Sequence, residues 1–219
     1  MLEERSWALI GGQMVALHGL AMGKPPIRFS SDLDVIANLA LSPSSLTTCA
    51  AHIRSLGFTP APTADGKRLH RFIHDNLVID IVAPDHPPRR LLPLRIAGKD
   101  AIEIDGGWRA LQSTGVMPVM FDYRQGQVPM PDLGGALVIK ARAALADSRD
   151  PQRHLLDLAF LLSLVDNPRR LRERFTARDR THLRCLALDG DTRQLPWIML
   201  RDGTDRSNAA EAYLSLTRH

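Results

Sequence analysis

The chain has 219 residues, with 28 Lys and Arg against 24 Asp and Glu, a formal net charge of +4. That length carries one large domain or two small ones with a real core, and the ordinary composition argues against long disorder. No apolar run is long enough to span a bilayer. The acidic start Met1-Leu2-Glu3-Glu4-Arg5 lacks a signal-peptide pattern, and two cysteines, Cys49 and Cys185, argue against a secreted disulfide framework, so the chain reads as cytoplasmic. The bases are mostly Arg, which permits a polyanionic partner. Lys occurs only at Lys24, Lys67, Lys99 and Lys140.

Trp7-Ala8-Leu9-Ile10 reads as a short buried strand broken by Gly11-Gly12. Met14, Val15 and Leu17 within Gln13 to His18 suit the first turns of a helix. The backbone N–H groups of such a turn either face an anion or simply close a tight bend. Gly19 to Ser31 is a loop, and Arg28-Phe29-Ser30-Ser31-Asp32-Leu33-Asp34-Val35-Ile36 leads out of it. In a strand over residues 33–37, the pleat puts Asp32 and Asp34 on one face at its start. Two close carboxylates repel each other, and a cation between them keeps both ionised. Oxygen-only ligands suit a hard ion such as Mg²⁺. The alternative is a polar strand end with two solvated acids.

Ser42-Pro43 opens a helix in which Leu46, Cys49, Ala50, Ile53 and Leu56 recur at helical spacing, and Gly57 ends it. Residues 67–83 read as a hairpin turning at His74-Asp75-Asn76. Its return strand buries Asp80 among apolar residues, where a carboxylate needs an Arg, a backbone donor or a metal shared with Asp32 and Asp34. A Pro- and Arg-rich loop follows from Pro84 to Leu94, in which Arg89 and Arg90 are either solvated or at a phosphate. Ala101-Ile102-Glu103-Ile104 is a further strand. Met117 to Met130 is extended, interrupted at Arg124-Gln125-Gly126, and Pro129 and Pro131 mark it as an edge.

After Pro131 the pattern turns helical. One helix covers Leu133 to Ala146, with Leu137, Ala141 and Ala144 on one side and Lys140 beside them. Asp150-Pro151 opens a second, running to about Val165. Asn167-Pro168 begins a third, and Thr176-Ala177-Arg178-Asp179 begins a fourth as a capping box. The expected organisation is an α+β domain over residues 1–131 and a helical domain over 132–219, with a cleft between them as the default ligand site.

Gly11-Gly12 at a helix start, Asp32 and Asp34 on one strand and Asp80 on a later one resemble the polymerase-β-type nucleotidyltransferase superfamily. More narrowly, Trp7 to Gly12 with Ala16-Leu17-His18-Gly19, then Arg28-x-Ser30-x-Asp32-Leu33-Asp34, resembles the AbiEii-type nucleotidyltransferases, the toxins of toxin–antitoxin pairs. Their second block is a Lys on one helix and Lys-Asp-x-x-Asp-Leu on the next. Lys140 matches the first lysine; Arg153-His154-Leu155-Leu156-Asp157-Leu158 matches the rest with Arg for Lys and His for the first Asp. The resemblance covers roughly residues 7 to 165. It implies a mixed sheet with flanking helices and metal-dependent transfer of a nucleoside monophosphate from an NTP to a hydroxyl.

By the same resemblance, Asp32, Asp34 and Asp80 hold Mg²⁺ or Mn²⁺ and, with Lys140, carry catalysis. Gly11, Gly12, Arg28, Ser31, Lys140, Arg153 and Asp157 form the nucleotide-binding set. Arg153 and Asp157 pair one helical turn apart, and Asp157 orients Lys140 or Arg153. The implied acceptor is RNA, in particular tRNA, and a cognate antitoxin is an implied partner. Two other readings stand beside this one: the same chemistry on a small molecule such as an antibiotic, or the fold kept as a binding module with spent catalysis.

Overall fold

The computed structural model describes residues 6–188 and 191–218; the Met1–Arg5 start lies outside the described residues. In chain order the elements are β1 (Trp7–Ile10), α1 (Gly11–Ala21), β2 (Asp32–Ala37), α2 (Ser45–Ser55), β3 (Thr59–Ala61), β4 (Arg71–His74), β5 (Leu77–Pro84), β6 (Arg95–Ile96), β7 (Lys99–Asp100), β8 (Glu103–Ile104), α3 (Gly107–Gln112), β9 (Thr114–Phe121), β10 (Arg124–Pro131), α4 (Leu133–Ala146), α5 (Pro151–Ser163), α6 (Pro168–Glu173), α7 (Ala177–Cys185) and α8 (Gly203–Thr217). The class is α+β, a mixed sheet with flanking helices followed by a helical region, as the sequence predicts. Two compact units form: Met1–Gln13 with Ser30–Pro131, and Met14–Phe29 with Asp132–His219.

The first unit is built on a sheet in the order β1-β2-β5-β4-β3, with β8 continuing alongside the end of β5. β2 and β5 are parallel at its centre; β1 and β4 flank them antiparallel. Parallel neighbours need a crossover, and here α2, β3 and β4 lie in the chain between β2 and β5. Alternation along the strands splits the sheet into two faces. Val35 and Ala37 of β2, Phe72 of β4, and Ile81 and Ala83 of β5 join Leu46, Cys49, Ala50 and Ile53 of α2 in one buried cluster. Cys49 belongs to that core, and burial pushes its thiol up to about 11, leaving it inert. The intervening residues, Asp32, Asp34 and Ile36 of β2, Asp80 and Val82 of β5, and Arg71 of β4, turn to the other face.

Several expected boundaries move. No break separates β1 from α1, because Gly11 itself opens the helix. α2 starts at Ser45, not at Ser42-Pro43; its N-cap Ser44 makes no side-chain cap bond, while Ser45 Oγ donates to the Asn38 carbonyl at 2.9 Å. The β4–β5 turn is only Asp75 and Asn76, with Asp75 at φ +51°. The strand expected over 101–104 shortens to Glu103–Ile104. The stretch from Met117 is one arm of a hairpin turning at Asp122-Tyr123, both at positive φ, and Arg124-Gln125-Gly126 pair within β10 rather than interrupting it. Asp-Tyr lacks the Asn-Gly or Asp-Gly signature of such turns, which hid it. β3, β6, β7, α3 and α8 have no counterpart in the sequence pattern. α8 buries Ala209, Ala210 and Ala212 beside Tyr213 and Leu216, small side chains that leave a faint periodic signal.

In the second unit the helix starts follow their caps. Asp132 accepts from Gly135 N in α4, Asp150 from Arg153 N in α5 and Asn167 from Arg170 N in α6. Thr176 and Asp179 close a reciprocal capping box on α7. Leu137, Leu158, Leu161, Leu162, Leu183 and Trp197 are fully buried. Tyr213 Oη donates to the Leu183 carbonyl at 2.9 Å. Lys24 Nζ, in the segment after α1, pairs with Asp205 of α8 at 2.6 Å. Among the described residues, no helix is long and apolar enough to cross a membrane.

Candidate active site

Strand register assembles the acids of the first unit. Asp34 is the direct partner of Asp80 across the parallel pair, and Asp32 lies one pleat earlier on the same face. Ile10, the last residue of β1, is paired with Asp34. The next residue, Gly11, has φ +71°, and a Cβ there would lie 1.9 Å from Asp34 Oδ2. The Asp34 carboxylate thus rests against bare glycine backbone at the first turn of α1, a close approach that only glycine permits. Ser31 Oγ donates to Asp32 Oδ1 at 2.9 Å. Gln13 Nε2 donates to the Ser30 carbonyl at 2.6 Å, tying the first turn of α1 to the residues just before β2.

Asp80 is 7% exposed and takes a forked pair of bonds from Arg71: Nε to Oδ1 at 2.9 Å and Nη2 to Oδ2 at 2.8 Å. The same Nη2 reaches Asp32 Oδ2 at 3.4 Å. The bond to Asp80 also raises the pKa of Arg71. Among the described residues, no three His, Cys, Asp or Glu side chains already form a metal cage. Arg71 is the site residue that no sequence motif marks. Its signal was the turn length: a two-residue turn at Asp75-Asn76 sets Arg71 directly opposite Asp80.

The second unit holds a separate charged cluster. Lys140 of α4, 4% exposed, donates from Nζ to Asp157 Oδ2 at 2.6 Å, and Asp157 of α5 is 1% exposed. Arg28 completes the cluster, Nε to Oδ1 at 2.7 Å and Nη2 to Oδ2 at 2.6 Å. Arg28, expected at a phosphate, therefore grips Asp157. The expected Arg153–Asp157 pair does not form. Arg153 Nη2 donates to Asp147 Oδ2 at 2.7 Å, and its Nε to His154 Nε2 at 3.3 Å. Spacing along α5 permitted the pair, but Asp157 turns into the packed interior, where cations from α4 and the Arg28 loop meet it, while Arg153 stays exposed. The Asp150 and Arg149 backbone N–H groups, with Arg153, hold Asp147 far below the usual carboxylate range. His154 is lowered by burial first and then by Lys140 and Arg153, and its Nδ1 is buried without a hydrogen-bond partner.

No protein-family model matches the sequence, and no curated protein does. Among solved structures, the chain is similar to an antigenic nucleotidyltransferase-like protein from Paracoccidioides brasiliensis, with a TM-score of 0.51 and 14% identity over 94% of this chain and 84% of that one. The fold is nucleotidyltransferase-like. At that identity the likeness speaks for architecture alone.

Within this nucleotidyltransferase-like fold, the acid face is the part suited to a hard divalent ion. Its donors are carboxylate oxygens, and Gly11 leaves the space that Asp34 occupies. Asp32 and Asp34 fit such an ion on chemistry and face; Asp32 meets Ser31 at 2.9 Å and Arg71 at a longer 3.4 Å, whereas Arg71 grips both oxygens of Asp80 at 2.9 and 2.8 Å.

Proposed function

We propose that the chain is a metal-dependent nucleotidyltransferase that moves a nucleoside monophosphate from an NTP onto an acceptor hydroxyl. The observation that carries this reading is the register of Asp34 against Asp80, with Asp32 on the same face and Gly11 against Asp34. Asp32 and Asp34 would hold Mg²⁺ or Mn²⁺, with Asp80 beside them. The ion supplies charge stabilisation at the transferred phosphoryl group. Gly11 and Gly12 open an eleven-residue helix whose first N–H groups suit phosphate oxygens. Within the second unit, Asp157 holds the Lys140 ammonium and the Arg28 guanidinium together.

The acceptor in this reading is RNA, tRNA in particular, and the role is that of a toxin with a cognate antitoxin. Supporting the RNA acceptor, Arg169, Arg170, Arg172, Arg174, Arg178, Arg180 and Arg184 crowd α6, α7 and the turn joining them. The test is transfer of labelled NTP to bulk RNA. Asp34→Asn is expected to cut labelling by ~10³-fold or more; absence of labelling by the wild type with any NTP overturns the reading. The Arg71–Asp80 pair favours a second reading, a nucleotide-binding module without transfer. In that case NTP with Mg²⁺ raises the melting temperature while no acceptor is labelled.

A further inference from the structure

We propose that Arg71 stands in for one divalent cation on the acid face, so that Asp80 is a positioning residue and only Asp32 and Asp34 carry a metal. This deepens the transfer reading and rests on it, because it concerns how many ions that chemistry uses.

Arg71 and Asp80 are direct cross-strand partners in β4 and β5, so their side chains leave the sheet on the same face. The guanidinium meets the carboxylate fork to fork, at 2.9 and 2.8 Å, a planar match that an ammonium cannot make. Asp80 sits in a strand whose next residues, Ile81, Val82 and Ala83, are all buried, and an unpaired carboxylate there is costly. Arg71 satisfies both of its oxygens. The hairpin joining the pair turns in two residues, so the clamp is set by strand register rather than by a mobile loop.

Charge gives the second argument. Three carboxylates and one guanidinium leave two negative charges on this face, the complement of one divalent ion. Arg71 Nη2 also extends to Asp32 Oδ2 at 3.4 Å, so the permanent cation reaches across from Asp80 to the β2 acids that would hold a metal. A guanidinium stays charged at any working pH and needs no supply from solution.

The test counts Mn²⁺ per chain by electron paramagnetic resonance, using the whole 219-residue chain with a non-hydrolysable NTP analogue and the Mn²⁺–analogue signal as the blank. The expected result is one protein-dependent ion in the wild type and one in Asp80→Asn. Asp34→Asn weakens that ion by more than ~100-fold, and Arg71→Leu, which frees Asp80, binds two. Two ions in the wild type, or loss of an ion in Asp80→Asn, overturn the role given to Arg71 and leave the transfer reading standing. No protein-dependent ion in the wild type overturns the transfer reading itself. If Arg71→Leu does not fold, the wild type and Asp80→Asn decide the matter between them.

Discussion

At Gly11 two demands meet in one residue. Its φ of +71° disfavours any side chain, and a Cβ would run into the Asp34 carboxylate. Gly11→Ala is therefore expected to cost roughly 2 kcal/mol or more in stability and to push Asp34 off the face. Thermal melts and labelled-NTP transfer read the two effects separately. Asp157 is the other residue on which much depends, since it is the shared counter-charge for Lys140 and Arg28. Asp157→Ala strands a buried ammonium and is expected to cost about 3–5 kcal/mol. Adding Lys140→Met should recover a good part of that loss. A double-mutant cycle by urea denaturation checks it; additive losses sink the idea. The Asp32-x-Asp34 spacing was readable because a strand has period two. The partner of Asp80 was not, because an Arg nine positions earlier meets it only through the hairpin register.

Among the elements, those with strong local chemistry were the legible ones. α4, α5, α6 and α7 begin where Asp132, Asp150, Asn167 and Thr176 accept bonds from their first turns. Those side chains satisfy backbone donors that any helix leaves open, so the signal is local and visible in sequence. For α7, Thr176→Ala should cost ~1 kcal/mol, read as a lower urea midpoint at unchanged slope. α8 and the β9–β10 turn were hidden for the opposite reason. An alanine-rich buried stripe and an Asp-Tyr turn carry no strong preference of their own, and tertiary packing decides them.

For the molecule as a whole, two half-buried histidines, one in each unit, set a response to acid. Burial is the first cause lowering both His70 and His154 below the ordinary 6.5. Their folded forms prefer to be neutral, so the unfolded chain takes up protons first as the pH falls below 6.5, and stability drops there. Above that pH neither contributes. Asp147, held far below 3.8, adds its loss only in stronger acid. The expected outcome is a melting temperature that falls by a few degrees from about pH 6.5 to about pH 5. His154→Gln is expected to flatten the fall in part, and a melting temperature flat across that window argues against the histidine account. By itself the sequence determined the fold class, the capped helices and a strand beginning with two acids on one side, because each follows from neighbours close in the chain. Only the tertiary structure decided that Asp80 belongs to Arg71, that Arg28 and Lys140 share Asp157, and that Gly11 yields its space to Asp34. Those pairings depend on strand register and helix packing, which no local pattern encodes.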